Sequence, residues 1–165
     1  MKGQTEIIVF ILLFLIGVSL FMASIIWSRS ILDRNTDVMT LNTAESFMNK
    51  LDDKIDNIIR FGGKDSLNYN LDATIEIKEI DEIIEIKTPL DVALYDEWVN
   101  LKENGSIIRE RMEGNLFRIQ LYYPGTPYDV DLFTEGPRIA TPTTVLVEKI
   151  SSDEPGKIRI KVTFQ

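Results

Sequence analysis

The chain has no cysteine and no histidine among its 165 residues, and each absence removes a class of chemistry. Without cysteine there is no disulfide framework and no thiol nucleophile, and without both there is no zinc site of the usual kind. Without histidine no imidazole can move protons near neutral pH. Basic residues are also scarce, 18 against 26 acidic ones, for a formal charge of −8. Binding through a phosphate backbone draws on clustered Lys and Arg, so a nucleic-acid partner is not expected. No Gly-rich phosphate loop, Walker motif or nucleophile elbow is present. Trp98 is the one tryptophan beyond the apolar N-terminal run, which leaves little to line a sugar cleft for a carboxylate pair. No enzymatic activity, cofactor or metal is expected.

Ile7 to Trp27 form 21 consecutive residues without a charge. As a helix they would be about 30 Å long, the thickness of a bilayer's hydrocarbon core. The run is apolar on every side and too long for the apolar stretch of a cleaved secretory signal. It ends at Trp27-Ser28-Arg29, an aromatic then a cation, as membrane spans do. Lys2 and the amino terminus on one side balance Arg29 and Arg34 on the other, so charge leaves the orientation open.

Residues 31–61 lack Gly and Pro, and Leu41, Ala44, Met48, Leu51, Ile55 and Ile58 recur at steps of three and four. That spacing predicts one apolar helical stripe, flanked by Phe47, Ile59 and Phe61, with Asn49, Lys50, Asp52, Asp53, Lys54, Asp56, Asn57 and Arg60 on the opposite face. The stripe suits packing on the chain's own C-terminal domain or a coiled-coil partner. Gly62-Gly63 marks the helix stop. Span and stripe together would make a helix of roughly 55 residues, with weak points at Ser28–Ser30 and Asn35–Asp37.

Beyond Gly63 the period changes to two. Leu67 to Lys78 alternates over twelve residues, which predicts one strand. Ile83–Thr88 follows, closed by Pro89, while 92–101 fit neither period. Asn104-Gly105 predicts a hairpin turn between Trp98–Lys102 and Ser106–Met112, and Glu113-Gly114-Asn115 a turn into Leu116–Tyr123. Pro124–Pro142 holds four of the six prolines and reads as a long surface loop with at most a short strand. Thr143–Ile150 and Lys157–Phe164 complete the set. The expected class is α+β, a long N-terminal helix packed on a small antiparallel β-sandwich or meander sheet. The expected segments are 1–3, a leader; 4–28, the membrane helix; 29–62, the amphipathic helix; and 66–165, the β-domain.

Two acidic groups, Glu76/Glu79/Asp81/Glu82/Glu85 and Asp129/Asp131/Glu135, lack an EF-hand pattern and read as solvated surface. Asn104-Gly105-Ser106 reads two ways, as an acceptor sequon for N-glycosylation and as a hairpin turn chosen for its backbone angles.

The opening Met1-Lys2-Gly3-Gln4-Thr5-Glu6 and the apolar run after it resemble the class III signal peptide of archaeal type IV pilins and archaellins. The resemblance implies cleavage between Gly3 and Gln4 on the cytoplasmic side by a prepilin-peptidase-like protease, with the span from Ile7 to Trp27 retained in membrane lipid. It further implies an extracellular C-terminal domain and homo- or hetero-oligomeric assembly through the N-terminal helix into a surface filament. Glu6 would be the third mature residue, where the family usually places a glutamate fifth. Glu6 therefore reads either as the carboxylate that meets a neighbouring subunit's amine during assembly or as an interfacial helix-start residue after a capping Thr5. The same features suit an uncleaved anchored module, similar to the archaellum accessory proteins.

Overall fold

The computed structural model describes residues 2–91, 95–125, 129–152 and 154–165, with residues 2–6 described by backbone alone. One helix, α1, runs over Lys2–Phe61. The helix continues through Ser28–Ser30 and Asn35–Asp37, the expected weak points. The chain divides into two compact units, Met1–Val38 and Met39–Gln165. In the first, large apolar side chains such as Phe10, Phe14, Leu20 and Phe21 are exposed, which makes this an apolar surface in need of a non-aqueous partner. It is the described segment long and apolar enough to cross a membrane.

In the second unit α1 ends where glycine allows it. Gly62 and Gly63 have φ of 76° and 90°, and the Gly62 N–H donates to the Ile58 carbonyl at 2.8 Å. The stripe is buried: Ala44, Met48, Leu51 and Ile55 are fully enclosed, and Phe47, Ile58 and Ile59 nearly so. Each large side chain among them contributes about 1.5–3 kcal/mol by leaving water. Phe61, one residue before the glycine stop, is exposed instead.

Ten strands follow: β1 Lys64–Asn68, β2 Thr74–Lys78, β3 Ile83–Pro89, β4 Val99–Asn104, β5 Ser106–Glu113, β6 Leu116–Tyr122, β7 Asp129–Thr134, β8 Ile139–Ala140, β9 Thr144–Ile150 and β10 Lys157–Phe164. They form a four-stranded sheet ordered β1-β9-β10-β7 and a six-stranded sheet ordered β4-β5-β6-β3-β2-β8. Side chains from both sheets and the buried stripe of α1 share one core. The α+β expectation holds in outline, and the details differ in four ways.

First, the single alternating strand expected at 67–78 is two strands in different sheets. Leu67 pairs with Val145 in one and Ile75 with Ile86 in the other. Tyr69, Leu71 and Ala73 stay buried as the chain crosses between sheets, so the alternation reports a core-facing side, not a partner strand. Second, the stretch 124–142, expected as a loop with at most a short strand, contains both β7 and β8, and Val130 and Leu132 of β7 are buried; its Asp-Val-Asp-Leu alternation was the available signal. Residues 126–128 of that stretch lie outside the described residues. Third, β7 runs parallel to β10, with Val130 opposite Ile158 and Leu132 opposite Ile160. The two strands are separated by β8 and β9, so no hairpin fixes their relative direction. Fourth, β4, the first arm of the expected Asn104-Gly105 hairpin, carries a register shift between Asn100 and Lys102; of the ambiguous 92–101, Val92 and Leu94 lie outside the described residues.

Candidate functional site

Asp52, expected on the solvated face of α1, is buried at 3% exposure. It lies one turn from Met48 and borders the apolar stripe, so it faces β5 and the adjoining hairpin. Tyr123 donates its hydroxyl to Oδ1 at 3.0 Å. Ser106 Oγ donates to Oδ2 at 2.8 Å, and Lys102 Nζ reaches the same oxygen at 2.7 Å. These donors come from β4, the start of β5 and the residue after β6, so one carboxylate ties the helix to three places on the sheet. A buried carboxylate is tolerable only with such compensation. The Asp52 carboxylate raises the Lys102 pKa, while burial and then Asp52 push the Tyr123 phenol well up. Lys102 therefore stays charged and Tyr123 stays protonated, and both hold the Asp52 carboxylate in place as a clamp.

Beside the clamp is a cleft of about 280 Å³ lined by Asp53, Asp56, Lys102, Asn104 and Tyr123 among others. Asn104 is exposed at the β4–β5 turn, where it pairs in register with Ser106 across Gly105 at φ 84°. Ser106, the third residue of the sequon, is 4% exposed with its hydroxyl engaged by Asp52.

A second buried carboxyl has a different environment. On β5, Ile108, Glu110 and Met112 face the core, and Glu110 continues the cross-strand row Ile75–Ile86–Ile119. It is 3% exposed, and its Oε2 has no hydrogen-bond partner among the described residues. Burial, and then the negative Glu45 on α1, push its pKa up to about 7. Glu45 is itself raised by burial.

The opposite face of the six-stranded sheet carries a charged network. Glu85, expected to be solvated, has no exposed surface. Lys78 and Lys87 cover it at 2.7 and 3.2 Å, Gln120 donates to it at 2.8 Å, and Lys87 also pairs with Glu76. Burial pushes the Glu85 carboxyl up, but these donors outweigh it and hold the pKa below the usual value. Toward the β4 edge, Arg109 and Arg111 each place a guanidinium 4.7 Å from the Trp98 ring, and Arg109 lies 5.7 Å from Tyr122. The remaining acids separate. Glu79 accepts from Thr134 N–H and Arg138, Asp131 pairs with Arg159, and Glu135 with Lys161. Asp129 and Asp131 belong to β7, not to a loop. Among the described residues no group of three or more acidic side chains is placed to hold a metal ion.

Of the sequence-derived sites, Ile7 and Trp27 are exposed on α1 at 62% and 70%. Gly3, Gln4 and Glu6 belong to α1 by backbone, and the side chains of Gln4 and Glu6 lie outside the described residues. No protein-family model, characterised protein or solved structure matches this chain.

Proposed function

We propose that the chain is a structural subunit of a type IV pilus-like surface filament, held in the membrane by residues 7–27 before assembly, with its β-domain outside the cell. The observation that carries this reading is the division of labour along α1. Its first part exposes apolar side chains all round, while Ala44–Ile59 form part of the core of the β-domain. In lipid the first part is satisfied by acyl chains, and in a filament the same surface is satisfied by copies of itself. The opening Gly3-Gln4 supplies the expected processing site and Glu6 an assembly carboxylate. The chemistry supports a role in contact and not in catalysis: the buried carboxylates Asp52 and Glu85 are neutralised by fixed donors.

Mass analysis of the amino terminus of protein taken from its native membrane tests the proposal. A mature chain beginning at Gln4 is expected, and material that retains Met1 or Lys2 throughout refutes it. The placement of Glu6 third and not fifth favours a second reading, an uncleaved single-pass anchor carrying a binding or accessory module, and the intact terminus is that reading's signature.

A further inference from the structure

The β2–β3 turn, Glu79-Ile80-Asp81-Glu82, presents Ile80 at 97% exposure, an apolar side chain almost wholly in water at the tip of a turn. The turn is held in this posture. Glu79 is anchored to Thr134 and Arg138, and Glu82 adopts φ 56°, a left-handed conformation unusual for a residue with a Cβ. Carboxylates outnumber cations about the tip: Asp81 is exposed, and Asp129 and Asp131 on β7 add to the effect of burial in raising the Glu82 pKa, against Lys157, which lowers it. The result is a preorganised apolar knob with a mostly acidic rim in which Arg138 and Lys157 are interspersed.

The face of the six-stranded sheet opposite the core shows the complement. Its alternating positions carry Lys78, Lys87, Arg109, Arg111 and Arg118 against Glu76, Glu85, Glu103 and Glu113, five positive and four negative, in a chain whose total is −8. Toward the β4 side of that face Trp98 lies against Arg109 and Arg111, and Tyr122 against Arg109, all four half-buried; Arg109 is partnered by Gln120 and two rings, and Arg111 also pairs with Glu113. Trp, Tyr and Arg are the residue types that dominate binding energy at protein interfaces.

We infer that the Ile80 turn of one copy docks on the Trp98–Arg109–Arg111–Tyr122 plate of a second copy, apolar tip on aromatic rings and acidic rim on guanidinium groups. Knob and plate lie on different strands of one sheet, β2–β3 and β4–β5–β6, so the contact joins unlike patches. Such a contact leaves one knob and one plate free at the ends of each assembly and can propagate. The inference deepens the filament reading and relies on it only for the setting.

Because the natural chain has no cysteine, the contact can be read directly. Full-length Asp81→Cys and Asn100→Cys proteins are co-expressed, and their membranes are treated with a short bismaleimide; Asn100 is exposed and opposite Arg109 in register. A mixed dimer is expected from the pair, with neither variant alone giving one. Adding Ile80→Ser to the Asp81→Cys copy, a change at a solvated position that leaves the fold intact, should lower the yield at least several-fold. Raising salt from about 0.05 to about 0.5 M, which shortens the screening length severalfold, should also lower it. Absence of the mixed dimer, like-with-like dimers of equal yield, or an Asn100→Cys adduct with a different protein each overturns the inference. A mature terminus at Gln4 without the mixed dimer removes this contact and leaves the filament reading standing. An intact Met1 with the mixed dimer does the reverse.

Discussion

Glu110→Gln tests the electrostatics of the core most directly. The folded carboxyl titrates at about 7 against an ordinary 4.5, so the folded chain binds the proton more tightly than the unfolded one. Its contribution is therefore fully present below pH 4.5 and is lost as the pH rises to about 7, above which it is absent. At about 1.4 kcal/mol per pH unit, that interval corresponds to on the order of 3 kcal/mol. The cause is geometric: Oε2 sits without a partner in an apolar row, and the group nearest in charge, Glu45, has the wrong sign. Glutamine keeps the shape and cannot ionise. Urea unfolding of the full chain in mild detergent, followed by near-ultraviolet circular dichroism at several pH values from about 4.5 to 8, measures both proteins. Wild type should lose stability across the interval, and Glu110→Gln should lose little. An amide buried without partners costs about 1–3 kcal/mol at every pH, so the slope and not the absolute value is the readout. Parallel slopes for the two proteins would refute the reasoning.

Tyr123→Phe removes one of three donors to buried Asp52 and should cost about 1–2 kcal/mol, seen as a lower urea midpoint at unchanged m-value; an unmoved midpoint would show that the clamp carries no stability. Glu85→Ala leaves Lys78 and Lys87 facing each other, lysines a quarter exposed, and should cost about 1–3 kcal/mol at neutral pH. Because the folded Glu85 pKa is lowered, its contribution is present above 4.5 and lost as pH falls through the folded value. The variant's acid limb should accordingly be flatter than wild type's, and an identical limb would assign the acid sensitivity elsewhere.

The helix was legible because its signals are local. Twenty-one uncharged residues, steps of three and four from Leu41 to Ile58, and two glycines define it without reference to any other part of the chain. The hairpin turns at Gly105 and Gly114 were legible for the same reason, since positive φ is a property of one residue. Strand partners were not. Leu67–Lys78 keeps its alternation while changing sheet, and β7 finds β10 in parallel across two intervening strands, because a period of two states which side is buried and nothing about the neighbour.

The polar groups divide the same way. The sequence by itself determined that the chain has no thiol or imidazole chemistry, that it carries an uncharged apolar run from Ile7 to Trp27, and that acid exceeds base. Only the tertiary structure decided which acids are expensive. Asp52, Glu85 and Glu110 are alike as letters on polar or alternating positions, yet one is clamped by three donors, one is neutralised by two lysines and one has an oxygen without a partner. The energy of a buried charge depends on what faces it from elements distant in the chain, and a local pattern does not contain that information.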